Sequence, residues 1–281
     1  MAQPRLPTLD EELLHRRLVV PGHCAKLVLV ESTGSTNTDL LAAAAEPDFA
    51  QVWSHTSVLT AEEQTGGRGR LARSWSSPKG ASLSTSVVLR PSLPAQQRHW
   101  LSLAAGLALV TVLRRVSIPA AMKWPNDVHV HGRKISGILA AVPPQAPDTV
   151  VLGCGINVLL RRDQLPTPRS TSVLLELERA ETGVPDSDSQ QIGQLRTSLL
   201  ADWLEEFTGL VRRMEPQGDI APVREEIISV ISTVGEQVRV ELPDGTSVHG
   251  RAVGVQTDGA LMVEEGGRRR SFTVGDVFHL R

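Results

Sequence analysis

The sequence predicts an α+β protein: a mixed sheet with helices, followed by a small all-β barrel. Two observations lead there. Through most of the chain, strand-like runs occur as hairpin-like pairs and do not alternate one for one with helices, as a doubly wound parallel sheet would require. From Gly235 onward the chain turns into short alternating strands separated by glycine-containing turns. That change sets the expected boundary, with one domain over residues 1–232 and a second over 233–281.

Thr8-Leu9-Asp10-Glu11 reads as a capping box with Thr8 as the cap, so a short helix is expected from Leu9. Leu27–Val30 is a strand. Ser35-Thr36-Asn37 precedes Leu40, Leu41 and four alanines, which marks a capped helix N-terminus with free N–H groups suited to a polar ligand. Val58–Ala61 is a strand that runs into Gln64–Arg70. That segment holds three glycines and two arginines and no aliphatic residue. Such a composition serves neither helix nor strand, but it suits a loop that approaches an anion closely. Leu83, Thr85, Val87 and Leu89 alternate with serines as a half-buried strand. Leu101–Leu113 is a core helix, too short to span a bilayer. Pro125 forces Trp124 to be extended and puts Asn126 and Asp127 at the mouth of a turn. A hairpin turning near Gly132 follows, and then a glycine-interrupted strand within Thr149–Leu160, where glycines signal close approach. Helices are expected over Ser172–Arg179, Ser189–Met214 and Val223–Ile231. The last segment carries five short strands, with Arg268-Arg269-Arg270 as a basic hairpin tip.

The 281 residues are 41% hydrophobic and carry a net charge of −2, which excludes a disordered chain and any general attraction to nucleic acid or membrane. Cys24 and Cys154 are far apart and show no metal or redox spacing. With no signal peptide visible, a cytoplasmic protein is expected. Of 29 basic residues only Lys26, Lys79, Lys123 and Lys134 are lysine, so a lysine here is wanted as a lysine.

Gly67–Ala72 formally fits a dinucleotide fingerprint, but Ser-Trp-Ser-Ser-Pro follows where a helix is required. No Walker lysine motif, zinc spacing or nucleophile elbow is present. What remains is a helix N-terminus, a Gly/Arg loop, Asn126-Asp127, Lys134 and Asn157. Arginine and lysine neutralise phosphate and carboxylate, and an Asp beside an Asn can hold Mg²⁺. The residues by themselves reach nucleotide-dependent transfer to or from an acid, and no further.

The segments GSTN (34–37), AEEQTGGRGRLARSW (61–75), KWPNDV (123–128), GRKISGIL (132–139) and GCGINV (153–158) resemble, in this order, the bacterial biotin–protein ligases. The resemblance covers residues 26–281. It implies a catalytic domain like that of class II aminoacyl-tRNA synthetases, with helices on one side of its sheet, and a C-terminal SH3-like barrel. It also implies two half-reactions. Biotin and MgATP give biotinyl-5′-AMP, and the acyl group then passes to a lysine of a biotin carboxyl carrier protein domain. By position, Ser35, Thr36, Asn37 and Gln64 would bind the biotin head, and Arg68, Gly69 and Arg70 would lie over its carboxylate and the α-phosphate. Lys134 would hold carboxylate and phosphate together, making Lys134, Arg68 and Arg70 the catalytic set. Arg70, Arg73, Trp75, Asn126 and Asn157 would serve ATP, with Trp75 over the adenine, and Asp127 would hold Mg²⁺. The base of the second step stays open between Asp127 and solvent.

Two departures stand out: Ala72 replaces a common glycine, and Ser136 replaces the usual alanine. About 25 residues precede the first core strand, too few for the DNA-binding domain of repressor members, so a ligase without a DNA or membrane role is expected. A lipoate–protein ligase and a non-catalytic biotin sensor are the competing readings. The GRGR loop with KWPND argues against the first, and the near-neutral charge against the second.

Overall fold

The computed structural model describes residues 6–70, 73–181, 189–242 and 244–280. Ala72, one of the two departures, lies outside the described residues. The architecture is α+β. A seven-stranded sheet comprises β1 (Lys26–Val30), β2 (Ser57–Ala61), β3 (Ser82–Leu89), β4 (Ala120–Lys123), β5 (Asp127–Val130), β6 (Arg133–Ala141) and β7 (Val150–Asn157). Their order is β1-β2-β3-β7-β6-β5-β4, with β1 and β2 parallel and every other pair antiparallel.

Helix α1 (Glu11–Leu14) is capped by Asp10, whose carboxylate accepts from the Leu13 N–H, and not by the expected Thr8; a π-helical turn, His15–Val19, continues it. Both residues can cap, but Leu9 N–H is already engaged by Glu62, which holds the chain extended up to Asp10. Helix α2 (Thr36–Ala43) is capped by Ser35 as expected, and α3 (Phe49–Val52) follows it. Helix α4 (Trp100–Arg115) is buried along most of its length. Helices α5 (Val173–Ala180), α6 (Ser189–Met214) and α7 (Ala221–Ser229) complete the set, α6 spanning the expected residues.

The sheet is covered on both faces, unevenly. Leu83, Val87 and Leu89 of β3 join the large core under α4 and α6, whereas Val88 joins a small core with Leu40, Phe49, Leu59 and Val151 under α2 and α3. Strand β3 is therefore buried on both faces and not half-buried, because the face that its serines occupy meets α2 and a cavity instead of solvent. The β5–β6 hairpin turns at His131-Gly132, both with positive φ (49° and 75°), the backbone that a two-residue hairpin demands.

Strands β8 (Gln237–Glu241), β9 (Ser247–Val255), β10 (Leu261–Glu265), β11 (Arg268–Phe272) and β12 (Asp276–His279) form a second, antiparallel sheet in the order β11-β10-β9-β8-β12. The first half of β9 pairs with β8 and its second half with β10, so it turns the sheet's corner around Val238, Val240, Ala252 and Val263. Arg268-Arg269-Arg270 lies in the edge strand β11 and not at a hairpin tip; Gly266-Gly267 makes the turn. Charged residues on such an edge discourage pairing with other chains. The β9–β10 connection of the second sheet is tied to α4 and to the β4–β5 turn by indole N–H bonds from Trp100 to Thr257 O (2.9 Å) and from Trp124 to Gly259 O (3.0 Å). Among the described residues no helix is long and apolar enough to cross a membrane.

One buried ion pair ties the N-terminal segment to the start of the Gly/Arg loop. Arg196 of α6, fully buried, donates to Glu62 (2.8 Å), Ser82 O (3.2 Å) and Pro7 O (2.9 Å), and Glu62 also accepts from Leu9 N–H (2.6 Å). Glu62 directly follows β2, and its carbonyl accepts from Gly80 N–H at the far stem of the loop (3.0 Å). Arg196→Met would leave Glu62 buried without its cation. The unfolding free energy in urea is expected to fall by about 3–5 kcal/mol, with partial recovery in the Glu62→Met/Arg196→Met double variant.

Candidate active site

A cavity of about 220 Å³ opens between the N-terminus of α2, the glycine-bearing parts of β6 and β7, the Gly/Arg loop and β12 of the second sheet. At one end the side chains are polar, buried and mutually satisfied. Gln64 Oε1 accepts from the Thr36 N–H (2.9 Å) and hydroxyl (3.1 Å). The Thr36 hydroxyl lies 2.7 Å from that of Ser86, which donates to Asn37 Oδ1 (2.6 Å), and Asn37 Nδ2 donates to Leu139 O (2.9 Å). A side chain could not stand beneath this group, since a Cβ on Gly153 would lie 2.5 Å from Asn37 Oδ1.

The other end is cationic. Lys134 donates to Asp127 Oδ1 at 2.6 Å, and His129 Nε2 lies 3.8 Å from Asp127 Oδ2. Burial pushes the Asp127 pKa up, but the neighbouring His129 and the hydrogen-bonded Lys134 outweigh it, so the carboxyl stays below its ordinary value. Arg70 donates to Asn126 Oδ1 (3.2 Å) and Gly275 O (3.3 Å), and Arg73 pairs with Asp276. Lys123 faces the same space, 5.8 Å from the Phe278 ring centre. Burial lowers its pKa, with Lys134 and Arg169 adding to the effect and Asp127 and Asp276 opposing it.

Between the two ends lies Trp75. Its ring covers Gly155 and Gly137, where an added Cβ would stand 2.4 Å and 3.3 Å from ring atoms, and Lys134 Nζ is 5.6 Å from the ring centre. The indole Nε1 is buried without a hydrogen-bond partner among the described residues. Trp75 therefore lies directly on the cavity floor, with one buried donor unsatisfied among the described residues.

Of the residues singled out in the sequence, Ser35, Thr36, Asn37, Gln64, Arg68, Gly69, Arg70, Arg73, Trp75, Asn126, Asp127 and Lys134 all line this cavity. Asn157 does not. It is buried at the end of β7, where its amide donates to Thr171 O (3.0 Å). Three contributions went unread: Ser86 and Ser84 on β3, Lys123, and Asp276 with Phe278 from β12. The serine alternation was visible but also fits a solvent-facing strand, and nothing in the sequence ties β12 to the first sheet.

The description "Biotin/lipoate A/B protein ligase family" matches residues 29–157, and "Biotin protein ligase C terminal domain" matches residues 233–280. A biotin–[acetyl-CoA-carboxylase] ligase of Mycobacterium tuberculosis is 39% identical over 98% of this chain and 97% of its own length. The chain belongs to the biotin/lipoate A/B protein ligase family. The family expected from the GRGR and KWPND segments is the family found. A second relative, the biotin–[acetyl-CoA-carboxylase] ligase of Paracoccus denitrificans, is 29% identical over 89% of this chain and 99% of its own. Among solved structures, a biotin protein ligase from Aquifex aeolicus in complex with biotin and ATP superposes with a TM-score of 0.70 at 25% identity, covering 91% of this chain and 99% of that one. The family match runs from inside β1 to the last residue of β7, and so spans every strand that builds the cavity floor.

Gly155→Ala is expected to lift Trp75 from the floor without unfolding the protein. Its tryptophan emission should shift to longer wavelength than that of wild type, and the shift should vanish in a Trp75→Phe background.

Proposed function

We propose that the chain is an ATP-dependent biotin–protein ligase. It joins biotin and ATP into biotinyl-5′-AMP and pyrophosphate, then passes the biotinyl group to one lysine of a biotin carrier domain of the acetyl-CoA carboxylase type. Residues 1–232 form the catalytic domain, and residues 233–281 close its cavity. The observation that supports this most is one cavity with a buried, neutral polar end and a cationic end, spanned by a floor without side chains. The relatives named above point the same way.

Thr36, Asn37, Gln64 and Ser86, with Ser35 behind them, offer both donors and acceptors, which suits a neutral head group such as a cyclic urea. In the first step a carboxylate oxygen bonds to the α-phosphorus and the bond to the pyrophosphate oxygen breaks. Two anions meet, so positioning and neutralisation outweigh proton transfer. Lys134, Arg70 and Arg68 supply the positive charge, and Gly69 lets the loop backbone approach. Arg73 adds to the phosphate side once it leaves Asp276. Trp75, displaced by the ligand, stacks on the adenine, and Asn126 remains beside the phosphates.

Mg²⁺ enters with ATP. Asp127 and Asp276 are the carboxylates at the cationic end, and among the described residues no group of three acidic, histidine or cysteine side chains could hold a metal. That donor set fits an ion carried mainly by phosphates. When bound, it neutralises phosphate charge. A cytoplasmic place of work suits two free, buried cysteines.

Biotin-dependent exchange of labelled pyrophosphate into ATP tests the reading. Exchange is expected with biotin; exchange with lipoate alone, or with neither, would overturn it. Lys134→Ala and Arg70→Ala are each expected to lower the exchange rate by ~10²–10³, with circular dichroism unchanged.

A further inference from the structure

A second cavity, of about 340 Å³, lies behind the first. The two share a wall made of Arg70, Pro125, Asn126, Ile138 and Leu139. Beyond that wall the chamber is bounded by the start of α4, by the outer half of β6 and by the β11–β12 connection. One edge of β6 is open there, because β5 pairs with it only as far as Gly137, while its other edge stays paired with β7. Val142 and Val274 stand at the rim, 48% and 50% exposed, two of the few large apolar side chains so exposed among the described residues.

The lining is mainly aliphatic and, among the described residues, holds no carboxylate. Its charged groups are Arg70 from the loop and Arg98 from the residues before α4, the latter donating to the carbonyls of Pro147 (2.5 Å) and Leu93 (3.5 Å). His99 packs on Trp124 and Gly259, its Nε2 buried without a partner among the described residues. Burial first and the charge of Arg70 second lower its pKa, with Asp258 opposing, so the ring is neutral at pH 7. Asp148 reaches Arg98 only at 3.9 Å, from solvent.

We infer that this chamber is the passage by which the acceptor lysine reaches the acyl-adenylate, with the Arg70 side chain as the door between passage and active site. The inference rests on the ligase reading above. Four methylenes fit an aliphatic passage. Two guanidiniums, no carboxylate and a low-dielectric wall all disfavour an ammonium, so the lysine leaves its first proton in bulk water and enters as the neutral amine. Its nitrogen then bonds to the acyl carbon. The bond from that carbon to the phosphate oxygen breaks, AMP departs with the electron pair, and the second amine proton passes to the departing phosphate. No protein base is required. Arg70 rests on two neutral acceptors, Asn126 Oδ1 and Gly275 O. An adenylate phosphate is a stronger partner than either. Arg70 therefore leaves the partition once a phosphate occupies the site, so the passage opens only to a loaded active site.

The test uses the full chain loaded with biotinyl-5′-AMP and a purified carrier domain, with transfer followed over a single turnover. Ala140→Phe, inside the passage, and Val142→Trp, at its exposed rim, are expected to slow transfer on the order of tenfold or more, with pyrophosphate exchange within about twofold of wild type. Ala140→Asp supplies the missing carboxylate and favours the ammonium, so the pH–rate profile of transfer should move up by about one unit or more. Filling space alone would not produce that movement. Unchanged transfer in both bulky variants, or an unmoved profile in Ala140→Asp, overturns the inference. Loss of exchange in the bulky variants overturns it as well, by marking the chamber as a nucleotide pocket. Absence of exchange in the wild type would instead strike the ligase reading.

Discussion

The cavity depends on three positions where the sheet carries no side chain. Gly137 and Gly155 face each other across β6 and β7, and Gly153 lies two residues along. A methyl group at Gly153 or Gly155 would overlap Asn37 or Trp75, and one at Gly137 would crowd Trp75 and Lys134. Glycine weakens a strand, through lost packing and greater backbone freedom. Here β3 and β5 pair on either side of β6 and β7 and hold the strands in register despite that cost. The floor is free of side chains at these positions, and the groups that line the site stand around it.

Charge in the site is held in reserve. Three cations that could meet an anionic substrate already have a modest partner: Lys134 has Asp127, Arg70 has two neutral oxygens, and Arg73 has Asp276. These contacts keep long side chains pointed inward, so less conformational freedom is lost when a ligand arrives. Two of the three link the Gly/Arg loop to the second sheet. Loop position and sheet position are therefore one variable, and the small C-terminal sheet is part of the site as well as its neighbour.

Much of this could be read in the sequence where one residue type has one physical explanation. Ser35 before a run of helix formers gives a cap, His131-Gly132 gives a tight hairpin, and the stripe from Ile192 to Met214 gives α6 to its ends. The loop chemistry was equally plain, since glycine and arginine together serve little else. Readings failed where two explanations share one pattern. Thr8 and Asp10 can both cap, and a buried carboxylate far along the chain, Glu62, decided between them. Serines alternating on β3 fit solvent as well as they fit a cavity. Asn157 sits in a glycine-rich strand beside the site, yet strand geometry turns it toward Thr171. The role of β12 is wholly tertiary and left no local trace.

The scarcity of lysine has a chemical meaning once the site is known. A mixed anhydride of a carboxylic acid and AMP acylates free amines indiscriminately, and the protein that makes it is the nearest source of them. Besides its α-amine this chain has only four, all lysines, and each is engaged: Lys26 with Val52 O and Trp53, Lys79 with Glu31, Lys123 against Phe278, and Lys134 with Asp127. Elsewhere its positive charge is arginine, whose guanidinium stays protonated and is a poor nucleophile. A surface written in arginine is thereby shielded from the protein's own reagent, and damage by self-acylation is confined to a handful of atoms.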